Sequence, residues 1–342
     1  MRGLVYHGPG EVGVEQIPDP EPAPGEVLLE VSAAGICGTD RHIVAGELGV
    51  TPGTVPGHEI SGVVIALGDG VDGWEIGRRV LSYGQVTCGQ CRPCREGQEH
   101  RCRRPQVMGM SRQGGFAEQI AVPQQCLVLV PDEVADGVAA IVPDAIATPY
   151  HALVTVGHIE SGETVVVIGA GGLGLQAILL ARMEGAARIV AVDPSADARK
   201  AALAVGADDV LDPGAGEDPA KALYRLTSGA TLALECVGRA ESVELGMQSL
   251  APGGSLVVVG VGHDRPRLPP LIRFVAGETS IHGSFGSTIA EIETVLGLIS
   301  EDRLDVSRSI SRSVSLDQAP GVFAEPATPG RTVITPNREV PE

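Results

Sequence analysis

Residues 86–102, "VTCGQCRPCREGQEHRC", hold Cys88, Cys91, Cys94 and Cys102 in the pattern C-x2-C-x2-C-x7-C. Four thiolates at this spacing are enough to fill a tetrahedral zinc shell. A filled shell has no free position for a substrate, so such a centre holds a lobe together and does no chemistry. His100 is an alternative fourth ligand on spacing alone. A redox C-x-x-C reading finds no thioredoxin-like context here. Arg92, Arg95, Arg101, Arg103 and Arg104 stand around the cysteines and would soften the negative charge of a four-thiolate zinc.

A second motif is built for phosphate. In "VVVIGAGGLG", Gly169, Gly171 and Gly174 form G-x-G-x-x-G. The motif follows an apolar strand run, opens a helical run, and is followed by an acid, Asp193, 19 residues beyond Gly174. That is the context a dinucleotide fingerprint requires. Gly169 permits the tight turn, Gly171 lets the backbone approach a pyrophosphate, and Gly174 lets helix pack on strand. Backbone N–H groups at Gly172 and Leu173, where the helix starts, would receive the phosphate charge. A carboxylate at Asp193 suits the ribose hydroxyls and repels a 2′-phosphate, so the expected coenzyme is NAD rather than NADP.

These groups need elements to place them. The first 150 residues read as short β-runs, such as "EVLLEVSAAGI" and "ISGVVIALG", punctuated by Gly, Pro and Asp, with few long helices. From about His151 the rhythm changes to strand and helix in alternation. "TVVVIGA" precedes a helix from about Gly172 to Glu184, "ARIVAVD" precedes "SADARKAALAVGA", and "TLALECVG" precedes "AESVELGMQSL". This implies a doubly wound parallel sheet. "TSIHGSF" reads as one more strand, "TIAEIETVLGLISEDRL" as an amphipathic helix and "RTVIT" as a terminal strand.

Composition narrows the class. A chain of 342 residues suggests two domains. A net charge of −18 argues against nucleic acid and anionic lipid as partners. The uncharged run at residues 164–181 approaches the length of a membrane span, but glycines interrupt it and a strand–turn–helix is expected instead. "MRGLVYHGPG" has no apolar signal region, and the cysteine clustering favours metal over disulfides, so the expected compartment is the cytoplasm.

Two further segments, "GICGTDRH" and "VPGHEISGVVIALGDGV", contain Cys37 and, in the second, G-H-E-x2-G-x5-G-x2-V from Gly57 to Val71. With the four-cysteine lobe and the fingerprint, the chain resembles the zinc-dependent alcohol dehydrogenases of the medium-chain dehydrogenase/reductase superfamily over essentially its whole length. A catalytic zinc needs about three protein ligands and one open position. Cys37 offers a thiolate and His58 an imidazole. The resemblance implies Asp144, four residues before Thr148 in "VPDAIATPYHAL", as the third ligand, and Cys102 as the fourth ligand of the structural site. It places Glu59 at the catalytic zinc rim, as a transient ligand or an orienting group, and Thr148 among the coenzyme contacts. It also implies a proton relay from Thr39 through a ribose hydroxyl to the His42 imidazole. Two features depart from the family pattern: Ala198 stands where relatives often carry Lys or Arg, and an Asp ligand accompanies a four-cysteine lobe, so no subfamily is fixed.

The fold expected is α/β: a GroES-like β-rich catalytic domain at residues 1–150 with a structural zinc lobe at about 86–104, a Rossmann NAD-binding domain at 151–286, and a return to the catalytic domain at 287–342. The expected activity is hydride transfer between a secondary alcohol or ketone and NAD, with two zinc ions per chain, one catalytic and one structural. Zinc lowers the pKa of the bound hydroxyl, and the alkoxide formed releases hydride. Few aromatics are present (3%), which leans the substrate toward a polyol, sugar, amino alcohol or cyclitol. The pocket is expected to draw on residues 45–49, 108–112 and 284–285. A zinc-free quinone or enoyl reductase would not need Cys37, His58 and Asp144 together. A non-catalytic zinc-stabilised binding protein would carry broken ligands or a broken fingerprint. A homodimer or homotetramer is what the resemblance implies.

Overall fold

A computed structural model describes residues 1–326 and 328–337, so residue 327 and the last five positions of the expected 287–342 segment lie outside the described residues. Among the described residues, six parallel strands form one sheet. Their spatial order is Asp209–Leu211, Arg188–Val192, Thr164–Ile168, Ala230–Glu235, Leu250–Val258 and Ser280–Gly283. In chain order this is 3-2-1-4-5-6, the doubly wound Rossmann arrangement. Strand order reverses beside Thr164–Ile168, which opens a crevice above its carboxyl end. Val165, Val166 and Val167 are wholly buried, as a strand covered on both faces requires.

The other large sheet is mixed. Ile310–Ser315 runs parallel to Arg331–Thr335, which lies antiparallel to Glu26–Ile36. The sheet continues through Glu59–Leu67, Arg79–Ser82 and Leu127–Leu129, with Gln119–Pro123 also on Glu26–Ile36. Two registers matter for the site. Gly35 pairs with Glu59, and Thr332 pairs with Ile36. The first brings Glu59 beside the start of the Cys37 loop, and the second brings Arg331 there from the far end of the chain.

The helical expectations match in the second half: Gly172–Met183, Ala196–Ala204, Ala240–Ser249 and Ile289–Ser300 are all helices. The first half differs in one respect. A helix of 21 residues, Asp136–Val156, begins inside the stretch read as having few long helices and runs across residues 150 and 151. By length and hydropathy it would cross a membrane, yet 72% of its apolar window is buried inside the protein, so it is a core helix. It has wide π turns at Val142–Ile146 and His151–Val156. Such turns commonly mark functional positions, and Asp144 sits in the first.

Candidate active site

Cys37 caps the short helix Gly38–Val44, and Asp40 in its first turn closes a capping box, accepting from the Cys37 N–H at 2.8 Å. The same carboxylate accepts from Gly57 N at 3.2 Å and lies 3.5 Å from His58 Nδ1. Asp40, fully buried, therefore fixes the Cys37 loop and turns the His58 ring so that Nε2 faces Asp144 at 3.8 Å. Asp144 Oδ2 stands 3.1 Å from the Cys37 sulfur, and Asp144 Oδ1 accepts from the Thr148 hydroxyl at 3.2 Å. The Thr148 hydroxyl thus orients the third donor. Thr39 lies at 3.8 Å from the Cys37 sulfur.

The donor atoms of Cys37, His58, Glu59 and Asp144 all lie within 4.8 Å of one another. Three of the four are acids crowded into a buried spot. Burial and the Asp144 charge push the Cys37 thiol up, against Arg331 and His58. Burial drives Glu59 well above the usual carboxylate range. A thiol, an imidazole and two carboxylates around one point are a donor set that fits a zinc ion, whose charge would favour the thiolate. Glu59 Oε1 meets Arg331 Nη2 at 2.8 Å. Its close seat also explains Gly35: a Cβ there would fall 2.0 Å from Glu59 Oε2.

Arg331 and Asp40 are functional residues that motif reading missed. Arg331 Nη2 also reaches Asp144 Oδ2 at 3.0 Å, and its guanidinium lies against the Gly172 turn. It lines a cavity with Cys37, Gly171, Gly172, Asp193 and Ser195. That cavity thus reaches from one metal donor, Cys37, to the fingerprint. Residues 45–49, 108–112 and 284–285 do not line it.

The fingerprint geometry is that of a phosphate cradle. Gly169 has φ +91°, open to glycine at little cost. A Cβ on Gly174 would stand 1.8 Å from the Gly169 carbonyl oxygen, whereas one on Gly171 would meet nothing within 4 Å. The space over Gly171 is thus free for a ligand, at the start of the Gly172–Met183 helix. Leu173 packs against the core, leaving its backbone to the turn. Asp193 accepts from Ala170 N at 2.9 Å and Ser195 N at 2.8 Å. Arg199 folds back on the Asp193 and Pro194 carbonyls and pairs with Asp212, so its guanidinium is held behind the acid.

At the lobe, Cys88, Cys91, Cys94 and Cys102 also bring their sulfurs within 4.8 Å of one another. Backbone N–H groups point at them: Cys91 N to Cys88 at 3.4 Å, Cys88 N and Arg104 N to Cys102 at 3.3 and 3.4 Å. Such bonds hold Cys88 down at about 6. Burial and the neighbouring cysteines push Cys94 up to about 12, and four sulfurs so close together are a donor set suited to zinc. Three of the surrounding arginines turn elsewhere: Arg92 to Glu96, Arg95 to the Gln90 carbonyl and Arg101 to Gln98. His42 is exposed, its Nδ1 bonded to Glu47 at 2.6 Å.

Residues 23–132 match the family described as alcohol dehydrogenase GroES-like domain, and residues 172–301 the family described as zinc-binding dehydrogenase. An L-threonine 3-dehydrogenase of Chelativorans sp. (strain BNC1) is 32% identical over 333 residues, 95% of each chain. A protein from Sinorhizobium meliloti 1021, described as a zinc-binding dehydrogenase and solved with NADP bound, superposes with TM-score 0.89 at 30% identity, covering 98% of this chain and 99% of its own. Galactitol-1-phosphate dehydrogenase from Escherichia coli superposes with TM-score 0.89 at 28% identity, covering 98% and 100%. A GroES-like domain, a Rossmann domain and two metal-donor clusters thus occur together in one chain, which belongs to the zinc-dependent alcohol dehydrogenases of the medium-chain dehydrogenase/reductase superfamily.

Proposed function

We propose that the chain oxidises a secondary alcohol of the polyol, sugar, amino alcohol or cyclitol class to the ketone, passing hydride to NAD. The observation that carries this reading is that Cys37, clustered with His58 and Asp144, lines the same cavity as Gly171 and Asp193. When bound by Cys37, His58 and Asp144, zinc supplies a Lewis acid that polarises the substrate oxygen. NAD, held by the Gly171 turn and Asp193, would supply the acceptor for the hydride of the substrate C–H. Thr39, beside the Cys37 sulfur, would take the O–H proton, and His42, exposed to solvent, would release it to water. Glu59 stays beside the metal as a charge partner of Arg331. Asp193 receives the adenosine ribose hydroxyls and disfavours a 2′-phosphate. Cys88, Cys91, Cys94 and Cys102 hold the structural zinc.

None of the seven cysteines pairs in a disulfide, which fits the reducing cytoplasm. Leu271, Ile272 and Val275 are exposed on the Leu271–Gly277 helix, and Ser280–Gly283 ends the parallel sheet with an open edge. An apolar face beside an open edge supports self-association as a homodimer or homotetramer. Metal analysis with an NAD-reduction panel of simple alcohols, polyols and amino alcohols tests the reading. Two zinc per chain and NADH formation are expected. One zinc, with no NADH from any alcohol, would sink it.

A further inference from the structure

The four-cysteine lobe lies against the helix that carries Asp144, and the contact runs through buried polar side chains. His100, 6% exposed, has no hydrogen-bond partner in the protein at either ring nitrogen. Its ring instead packs edge-on against His151, centroids 4.6 Å apart. His151, 3% exposed, follows Asp144 and Thr148 on the same helix and donates from Nδ1 to Glu291 at 2.8 Å. Glu291 closes the capping box of the Ile289–Ser300 helix, accepting from Thr288 N at 2.7 Å. That helix start is in turn tied to the lobe, because Glu99 accepts from Ile289 N at 2.6 Å.

The same turn also holds the other side of Asp144. Ser287, fully buried, donates from Oγ to the Pro143 carbonyl at 3.4 Å, and its own carbonyl accepts from Tyr83 at 2.9 Å. Residues 287–291 therefore grip the helix just before Asp144 and again beyond Thr148. The helix needs that grip. Its π turns at Val142–Ile146 and His151–Val156 break the regular α register, so the direction of Asp144 is set by what packs around it.

We propose that Glu99, His100, His151 and Glu291 are positioning residues that couple the lobe to the catalytic metal: a filled lobe holds Asp144 in its ligand stance and raises metal affinity at Cys37, His58 and Asp144. This rests on the reading of both clusters as zinc sites. Groups that orient a metal ligand typically change affinity by about 10–100-fold when removed.

The test is cobalt titration of apo protein, read by absorption, since a one-thiolate site and a four-thiolate site give separate bands. Wild type should bind at both. Glu291→Gln and His151→Phe, with the lobe still filled, should weaken cobalt binding at the one-thiolate site by about tenfold. Cys94→Ser, which opens the lobe, should weaken it to a similar extent, and combining it with His151→Phe should add less than about threefold, because the two changes cut one connection. Wild-type affinity in Glu291→Gln, or losses that multiply in the double variant, overturns the coupling. If Cys94→Ser does not fold, the Glu291→Gln measurement decides. A merely structural role would lower the melting temperature and leave the cobalt affinity where it was. Failure of wild type to bind at two sites would instead overturn the zinc reading beneath it.

Discussion

Arg331 Nη2 stands 2.8 Å from Glu59 Oε1, with both side chains closed off from solvent beside the catalytic donors. An ion pair so buried is weak evidence of net stability, but breaking it by removing one partner is costly. Arg331→Met should therefore destabilise the fold by about 3 kcal/mol, because Glu59 is left with no counter-charge. Glu59→Gln in the same chain should restore part of that loss. Urea unfolding midpoints at constant slope would measure both. A single variant as stable as wild type would show that the pair is not what holds this end of the sheet.

The fingerprint glycines should separate folding from binding. Gly174→Ala puts a methyl 1.8 Å from the Gly169 carbonyl oxygen, so the turn must shift, at a cost of about 2–3 kcal/mol. Gly171→Ala meets nothing within 4 Å and should leave the melting temperature unchanged. Its methyl would stand where the pyrophosphate approaches, so NADH affinity should fall by about tenfold or more. Thermal melts beside NADH fluorescence titrations test the contrast. Equal effects of the two substitutions would contradict it.

The contrast between these residues and Arg331 shows what a sequence exposes. Gly169, Gly171 and Gly174 act through one local turn, and the four lobe cysteines through short spacing, so their chemistry is written in a few consecutive residues. Arg331 reaches the site only because Thr332 pairs with Ile36, a register between strands about 300 positions apart that no local pattern encodes. Asp40 belongs to no motif, and its role depends on capping Cys37 and turning His58 at once. The Asp136–Val156 helix is not expected from the sequence; it contains Pro143 and Pro149, and its π turn at Val142–Ile146 accommodates the first of them.

Coenzyme preference should follow the charge at Asp193. Its oxygens already accept from Ala170 and Ser195, so Asn, which keeps one acceptor oxygen, is the gentlest replacement. Asp193→Asn should lower the ratio of kcat/KM for NAD over NADP by about tenfold, since the repulsion of a 2′-phosphate goes with the charge. An unchanged ratio would place the discrimination elsewhere.

Acid should erode one contribution selectively. Burial pushes the Glu291 carboxyl up, but hydrogen bonds from His151 and Thr155 overcome it and bring the group down to about 2. A carboxyl depressed in the folded state stabilises it above the unfolded value, and that contribution fades as pH falls toward the folded value. The gap in melting temperature between wild type and Glu291→Gln should be full above about pH 5 and narrow toward about pH 3. Metal loss in acid lowers both curves, so the difference between them is the readout. A gap that widens in acid would reverse the assignment.

The last step of the proposed proton path ends on an exposed imidazole, and that exposure makes it testable. His42 Nδ1 is bonded to Glu47 at 2.6 Å, leaving Nε2 to carry a proton between the coenzyme ribose and water. A relay group open to solvent can be bypassed, so His42→Gln should lower kcat by only about tenfold near pH 7, less than the usual loss for a general base in contact with substrate. Thr39, beside the Cys37 sulfur, has no such bypass, and Thr39→Val should lose about a hundredfold. Added imidazole should restore much of the His42→Gln rate and none of the Thr39→Val rate, because a small base can reach the surface end of the path but not its buried start. Steady-state rates across pH 6–9 with and without imidazole decide the matter. If His42→Gln keeps full kcat throughout that range, protons leave this site by another route.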